Sequence, residues 1–301
     1  METLAPLLGL IATGYAAGRA RLLPPAAVRG LTTLAACIEI PALLFRTLAA
    51  RTGGGPGTAT ALAYLAACLL VLGIGLALGR SWLGLSRAEA GVFALGCAYS
   101  NTSFLGVPLV QATYGPEGVS VLAQVVAVHS LVLLPALTLA VAAFAPGGAR
   151  PTPASVARAA LNPMVVAMAG GAAWSTLGHA LPGVLDAFLA SLSAAASPTA
   201  LVAVGATVAT LPRSTGASGP LAATAVKLVA HPLLTWCAAT ALGLPPLAVG
   251  VATLAAALPP GVNVFLLAER FGCYAAPSAR ALALSTLASA GTLAATLAII
   301  A

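Results

Sequence analysis

The stretch SNTSFLGVPLVQATYG, residues 100–115, sets polar and helix-breaking residues inside an apolar run. Asn101, Thr102 and Ser103 form a polar triplet, and Pro108 follows five residues later. A proline removes a backbone N–H and its ring clashes with the preceding turn, so a regular helix is interrupted here. The cost of such a break depends on the solvent around it.

Composition identifies that solvent as lipid. Of the 301 residues, 60% are hydrophobic and 6% are charged, whereas a soluble domain averages about 25% charged residues. Unbroken apolar runs such as LAYLAACLLVLGIGLALG favour membrane-spanning helices over a β-barrel, whose strands appear as short alternating segments. The sequence therefore predicts an all-α integral membrane protein.

Apolar runs of about 20 residues are long enough to cross a bilayer as helices. We predict ten transmembrane helices, called spans 1 to 10 in chain order, at 3–22, 28–49, 59–79, 88–110, 117–144, 155–178, 181–208, 219–243, 246–269 and 276–299.

The arginines predict the orientation of these spans. Ten lie in or beside the loops that follow the odd-numbered spans, and two lie on the opposite side. Because cytoplasmic loops carry an excess of Lys and Arg, both termini are predicted to be extracytoplasmic, in the cell inner (plasma) membrane. Glu2 precedes the apolar run of span 1, and Arg19 and Arg21 come at its C-terminal end, which is the reverse of the charge order in a cleaved signal peptide. This topology accounts for the net charge of +7 without a nucleic-acid partner.

The chain also carries an internal repeat. Pro41 lies 60 residues before Asn101, and Pro198 lies 61 residues before Pro259. In both halves another proline precedes the first of these by 35 residues. The matched spacings predict two repeats of five helices.

We place the first repeat at 1–144, a cytoplasmic linker at 145–154 and the second repeat at 155–301. Because five is odd, the second repeat enters the membrane in the opposite sense. Such inverted repeats are typical of secondary transporters.

A second break, LPPGVN at residues 258–263, occupies the equivalent place in the other repeat. Pro259, Pro260 and Gly261 cannot continue a regular helix, and lipid tolerates unsatisfied backbone only where protein or a wet cavity covers it. The two breaks therefore predict that spans 4 and 9 cross around one central site. The alternative is that the prolines only kink their helices and that the freed amides are satisfied locally.

The chemistry of the predicted site suits an anion such as a carboxylate. A half-helix that restarts after a break directs free N–H groups and a positive dipole end toward the site, and the asparagines and hydroxyl groups add donors. Exposed carbonyl groups could instead hold a cation. The predicted substrate-binding residues are Asn101, Thr102, Ser103, Pro108, Pro259, Pro260, Gly261 and Asn263.

Several segments resemble the auxin efflux carrier family. NTSFLGVPLVQATYGPEG and PPGVNVFLLAERFG resemble its two signature regions, and LNPMVVAMAGG, SPTALVAVG and VKLVAHPLL in spans 6, 7 and 8 are also similar to it. The resemblance covers essentially the whole chain. The plant members are the PIN-formed auxin carriers, and the bacterial members are regarded as carriers of organic acids such as malonate.

The resemblance implies a secondary transporter of small organic anions, auxin-like or dicarboxylate, that works by alternating access with an elevator motion. It implies a scaffold of spans 1, 2, 6 and 7, which forms a homodimer through spans 2 and 7, and a mobile transport domain made of the other spans. In the plant members, asparagines at the crossing bind the substrate carboxylate. Asn101 and Asn263 match those positions.

Three ionisable residues inside the spans are candidates for coupling or charge sites. Glu39 lies near the middle of span 2, where an acid is costly; a structural or interface role and a proton-coupling role are both open, and we favour the first.

Lys227 and His231 lie four residues apart on one face of span 8. Lys227 either snorkels to the cytoplasmic surface or lines the transport domain with His231, where it attracts the anion or replaces a coupling cation. His129 and His179 have no predicted partners, and Tyr99 either lines the site or packs.

Two other functions compete with this interpretation. A cation-coupled symporter or antiporter with the bile acid:sodium symporter-like fold would keep the architecture, but spans 4, 5 and 9 lack the buried acidic pair that proton or sodium exchange usually needs. A membrane enzyme is disfavoured because the histidines lack metal-ligand spacing and the five cysteines form no CxxC motif. The cysteines are predicted to be buried free thiols. No cofactor or metal is predicted, and coupling to H⁺ or Na⁺ is open.

Overall fold

The computed structural model of the protein describes residues 4–50, 57–144, 163–211 and 216–300. In these ranges every regular element is a helix, in agreement with the predicted all-α class. The predicted linker at 145–154 lies outside the described residues. The helices are α1 (Leu4–Arg19), α2 (Pro25–Ala49), α3 (Thr58–Trp82), α4 (Arg87–Ala98), α5 (Thr102–Leu133), α6 (Leu134–Phe144), α7 (Pro163–Thr176), α8 (Gly183–Thr210), α9 (Ser218–Ala241), α10 (Pro246–Ala257), α11 (Val262–Arg270) and α12 (Ala275–Ile300).

Within the described residues, six helices are long and apolar enough to cross a membrane, namely α2, α3, α5, α8, α9 and α12. Predicted span 4 is divided between α4 and the start of α5, and predicted span 9 between α10 and α11. Helix α5 turns sharply at Gly115, where φ is +63°, a backbone conformation that glycine adopts without steric cost. Spans 4 and 5 are therefore joined by a bend at Gly115. The total of ten crossings stays a prediction.

Turns of π-helix accommodate several of the prolines. A proline has no N–H to bond to the fourth residue before it and crowds that carbonyl, and a widened turn relieves the crowding. Four such turns end two residues before a proline: 35–39 before Pro41, 102–106 before Pro108, 129–133 before Pro135 and 226–230 before Pro232. The same turns carry Glu39, Thr102, His129 and Lys227, all of them buried. The prolines thus widen the helices where polar side chains lie in the interior.

The described helices form two compact units, and each unit takes helices from both halves of the chain. The first unit contains α1, α2, α7, α8 and the segment Thr102–Val126 of α5. The second unit contains α3, α4, the rest of α5, α6 and α9 to α12. Spans 1, 2, 6 and 7, which the resemblance assigns to a scaffold, thus fall in the first unit. Thr102–Val126 joins them because the turn 102–106 packs against α8 and against the π turn of α2.

Close backbone contact holds α1 against α8 in the first unit. A Cβ atom added to Gly14 would collide with the carbonyl of Val202, and one added to Gly205 would collide with the carbonyl of Ile11. Membrane helices gain stability mainly from such tight packing, because lipid tails are as apolar as the side chains they would replace.

The prediction of five buried thiols is wrong for two cysteines. Cys68, Cys97 and Cys273 are buried, but Cys37 and Cys237 are exposed on the surfaces of α2 and α9. The error has a simple cause, since a helix in lipid presents apolar side chains outward as well as inward.

Candidate functional site

Two helix breaks define the candidate site in the second unit. Helix α4 ends at Ala98, after which Tyr99 is extended with φ −83° and ψ 111°. Helix α10 ends at Ala257, after which Leu258 is extended with φ −65° and ψ 150°. A residue that precedes a proline favours this conformation, which explains the second break. The first break has no proline, and its cause is the partner described next.

The two breaks pair with each other as a short antiparallel bridge. Ser100 lies opposite Pro260. The N–H of Asn101 donates to the carbonyl oxygen of Pro259 at 2.9 Å, and the N–H of Gly261 donates to that of Tyr99 at 3.2 Å. Backbone groups released from the helices thus find partners within the protein, as a lipid environment requires.

Gly261 allows Tyr99 to lie against the bridge. A Cβ atom on Gly261 would stand 2.8 Å from Cε1 of Tyr99. On its other side the Tyr99 ring stacks on His129, with ring centroids 4.6 Å apart and an interplanar angle of 21°. Nδ2 of Asn263 donates to the Tyr99 hydroxyl at 3.3 Å. The sequence left open whether Tyr99 lines the site or packs; in the structure it packs against Gly261 and His129 and accepts a hydrogen bond from Asn263.

Asn101 carries a polar group without a partner. Its side chain is 4% exposed, and within the described part of the chain its Nδ2 has no hydrogen-bond acceptor. An unsatisfied buried donor costs about 1–3 kcal/mol, so a bound molecule that accepts this bond would recover the loss. Asn263 differs from Asn101, because it is exposed in the first turn of α11.

The remaining predicted binding residues divide between the two units. Pro259, Pro260 and Gly261 form the second break and lie in the second unit. Thr102 and Ser103 begin α5 in the first unit, directly after Asn101 in the chain. The predicted break ran on to Pro108, but the structure places this residue in the continuous, buried part of α5. The widened turn 102–106 before it removes the need for a break there.

A buried hydrogen-bonded group next to the bridge was not predicted. The Tyr64 hydroxyl lies 3.0 Å from Oγ of Ser100 and 3.0 Å from Nε2 of His129. All three residues are at most 1% exposed. The sequence gives no partner for His129 that could be predicted from spacing, and Tyr64 lies within an apolar run. The only available signal was that each is a polar group in an apolar span.

Lys227 and His231 meet on the face of α9 that their spacing indicated. Both are fully buried, so Lys227 does not snorkel to the membrane surface. Its Nζ donates to the carbonyl oxygen of Ala256 at 2.5 Å and lies 3.1 Å from Nδ1 of His231. Lys227 therefore contacts the last turn of α10, next to the second break.

Glu39 lies in the first unit and is 4% exposed. The Thr199 hydroxyl donates to its Oε1 at 3.3 Å, whereas Oε2 has no partner among the described residues. The turn that carries Glu39 packs on α8 and on residues 102–106.

An ion pair in the first unit was not predicted from the sequence. Arg46 donates to Asp186 through Nε at 2.7 Å and Nη2 at 3.1 Å. It links α2 to α8, and its side chains are 39% and 41% exposed. In the sequence Arg46 serves only as a marker of topology, because a partner 140 residues away leaves no local pattern.

Comparisons with known proteins identify the family of the chain. The family described as membrane transport protein matches residues 1–145 and 151–297. The chain is also 29% identical over 308 residues to a protein of Rhizobium meliloti (strain 1021) named "Putative malonate transporter", across 95% of this chain and 91% of that relative. These matches identify a multi-pass membrane transporter rather than an enzyme. The chain therefore belongs to the membrane transport protein family, the family of the auxin efflux carriers that its signature segments resemble.

Proposed function

We propose that the protein is a secondary transporter of small organic anions, with carboxylates of the malonate type as substrates. The observation that carries the proposal is Asn101, whose buried side-chain amide lacks an acceptor at the bridge between two broken helices. A carboxylate oxygen is the natural acceptor for such a donor. The name of the Rhizobium meliloti relative supports a dicarboxylate.

The start of α11 supports an anion at the same place. This helix begins at Val262 after Gly261, and no side chain caps its N-terminus. The first N–H groups of a helix have no intrahelical acceptor and carry the positive end of its dipole. The backbone of Asn101 bonds to Pro259, two residues before Gly261, so the residue that carries the unpaired amide is joined to the segment that leads into α11. In our proposal Asn263, in the first turn of α11, completes the carboxylate site from the second repeat.

Charge in the second unit also favours an anion. Among its described residues, Lys227 is the one buried side chain that ordinarily carries a full charge, and that charge is positive. Cation-selective sites in membranes generally use buried carboxylates instead. Neither acidic residue of the second unit is buried: Glu89 is half-buried and Glu269 is exposed.

We further propose that two inverted five-helix repeats, 1–144 and 155–301, build the transporter. Support comes from the bridge, because an antiparallel pairing of one break with the other is what two repeats of opposite orientation would produce. In each half, moreover, two helices, a third long helix and a broken helix follow in the same order. In this arrangement the first unit corresponds to the scaffold and the second unit to the transport domain of an elevator with alternating access.

A homodimer through α2 and α8, the predicted spans 2 and 7, belongs to the same proposal. Both helices expose large apolar side chains in the first unit, among them Ile38 at 48%, Phe188 at 59% and Val184 at 88%. The proposed location is the cell inner (plasma) membrane with extracytoplasmic termini.

Exchange of malonate in proteoliposomes tests the proposed function. Vesicles that contain the purified protein and are loaded with unlabelled malonate should accumulate external labelled malonate, and protein-free vesicles should not. Acetate and a neutral diamide of the same size serve as competitors that separate carboxylate recognition from shape. Absence of exchange and of binding for every carboxylate offered would contradict the proposal.

A further inference from the structure

The last carbonyl groups of two broken half-helices are joined by one chain of buried side chains. Ala256 lies in the last turn of α10, and Ala98 is the last residue of α4. Lys227 contacts the carbonyl oxygen of Ala256 at 2.5 Å, and Sγ of Cys68 lies 3.9 Å from the carbonyl oxygen of Ala98. His231 connects the two, with Nδ1 at 3.1 Å from Nζ of Lys227 and Nε2 at 3.4 Å from Sγ of Cys68.

The directions of these hydrogen bonds follow from the chemistry of the groups. An ammonium group only donates, so Nδ1 of His231 accepts from Lys227 and the ring proton is on Nε2. Nε2–H then donates to the Cys68 sulfur, and the Cys68 S–H donates to Ala98. With Lys227 in its charged form, each acceptor of the chain receives one donor: Nδ1 of His231, the Cys68 sulfur and the carbonyl oxygens of Ala256 and Ala98. Each bond in it lies within the second unit.

The Lys227 ammonium group lies at the C-terminal end of a half-helix, where a bound cation is favoured. The C-terminal end of a helix carries the negative end of its dipole, and its last carbonyls have no intrahelical donor. In transporters with broken helices such ends coordinate the coupled cation, while helix N-termini face the anionic substrate. Here the carbonyl of Ala256 is already bound by the ammonium group of the protein itself.

We infer that Lys227 is a built-in cation that takes the place of a coupling metal ion beside the substrate site. The inference rests on the proposed function for its role in anion transport. It has two consequences: the native protein binds its carboxylate without Na⁺, and removal of the Lys227 side chain leaves a vacancy that a small external cation fills.

The test compares the native protein with Lys227→Met, Lys227→Ala and a control, Thr235→Val, in sodium and in choline medium. Thr235 is also buried in α9, one turn beyond His231, but its hydroxyl donates to the backbone carbonyl of His231 within the same helix. The probes are malonate binding by calorimetry and the melting temperature of each variant in nanodiscs. Propylammonium is added to Lys227→Ala as a mimic of the missing side chain.

We expect the native protein and Thr235→Val to bind malonate equally in both media. Lys227→Met should bind about tenfold to hundredfold more weakly, the effect of losing a hydrogen-bonded charge. Sodium or propylammonium should restore affinity to Lys227→Ala and raise its melting temperature, because a ligand that binds only the folded state stabilises it. Neither cation should affect the native protein in this way.

Other results separate the inference from the proposed function. A native protein that binds malonate only in sodium, or a Lys227→Met variant with native affinity, would overturn the inference and leave the transport function intact. If the native protein binds no carboxylate while sodium or propylammonium still stabilises Lys227→Ala, the proposed substrate is wrong and the cation position stands. If Lys227→Ala does not fold, two measurements still test the inference: the native protein should bind malonate without sodium, and the longer Lys227→Met should bind it weakly.

Discussion

The backbone N–H of Asn101 donates to the carbonyl oxygen of Pro259 at 2.9 Å. This bond joins the two helix breaks, one from each half of the chain. The side-chain Nδ2 of Asn101 has no acceptor among the described residues. The backbone of Asn101 thus serves the fold, and its side chain is available to a ligand.

Substitution of Gly261 should damage the site through Tyr99. A methyl group at this position would stand 2.8 Å from the Tyr99 ring, and His129 behind the ring limits its retreat. Overpacking of this kind costs about 1–3 kcal/mol, so Gly261→Ala should lower malonate affinity by about tenfold, measured by calorimetry. The matched control is Gly291→Ala, where nothing lies within 4 Å of the new atom. Equal affinities for the two variants would show that Tyr99 does not shape the site.

The exposed cysteines offer a test of the dimer. Cys37 lies on α2 beside Ile38, and Cys237 lies on α9 in the second unit. Mild oxidation in membranes should give a covalent dimer that disappears with Cys37→Ser and persists with Cys237→Ser, as gel electrophoresis would show. A cross-link that depends on Cys237 instead would place the dimer contact on α9 and contradict the proposed contact through α2 and α8.

Glu39 should tolerate loss of its charge. Glu39→Gln keeps the shape and still accepts the Thr199 hydrogen bond, so malonate affinity should change by less than about threefold, below the effect of one lost charged hydrogen bond. Exposed Glu117 supplies the control variant Glu117→Gln. The measurements are malonate affinity by calorimetry and malonate transport across a range of pH, with the dimer checked in parallel. Loss of the pH dependence in Glu39→Gln alone, with an intact dimer, would make Glu39 a proton site and our structural interpretation wrong.

Two exposed leucines test the orientation in the membrane. Leu22 lies between α1 and α2 and is 75% exposed, and Leu177 follows α7 and is 59% exposed. In a cysteine-free background, an impermeant maleimide should label Leu177→Cys in intact cells and Leu22→Cys only after lysis, because the arginine distribution places the Leu22 loop in the cytoplasm. The reverse labelling pattern would invert the proposed topology.

The sequence predicted the second break more accurately than the first. At residues 258–261 the local chemistry suffices, because adjacent prolines exclude a helix whatever surrounds them. At residues 99–101 the chain leaves the helix to pair with the other break, and this partner is 158 positions away in the sequence (259 − 101). The prediction therefore extended the first break to Pro108, which the structure keeps in a helix after a widened turn.

Buried partners were the other feature that the sequence did not reveal. The spacing of Lys227 and His231 indicated that they share a face, since residues four apart meet on a helix. Their further contacts, with the carbonyl of Ala256 and with Cys68, join separate helices and have no local pattern. Tyr64, Ser100 and His129 were missed as a group for the same reason.

The central claim is that one carboxylate binds jointly to Asn101 and Asn263, and malonate affinity of Asn101→Ala, Asn263→Ala and the double variant tests it most directly. Each single variant loses one hydrogen bond to a charged group, worth about 1.5–3 kcal/mol, which corresponds to a loss of affinity of about tenfold to hundredfold. Because both side chains would contact the same ligand, the effects in the double variant should not add. Calorimetry on the four proteins, each with a native melting temperature, gives the answer. Native affinity in both single variants would contradict the claim and leave the two breaks as features of the fold alone.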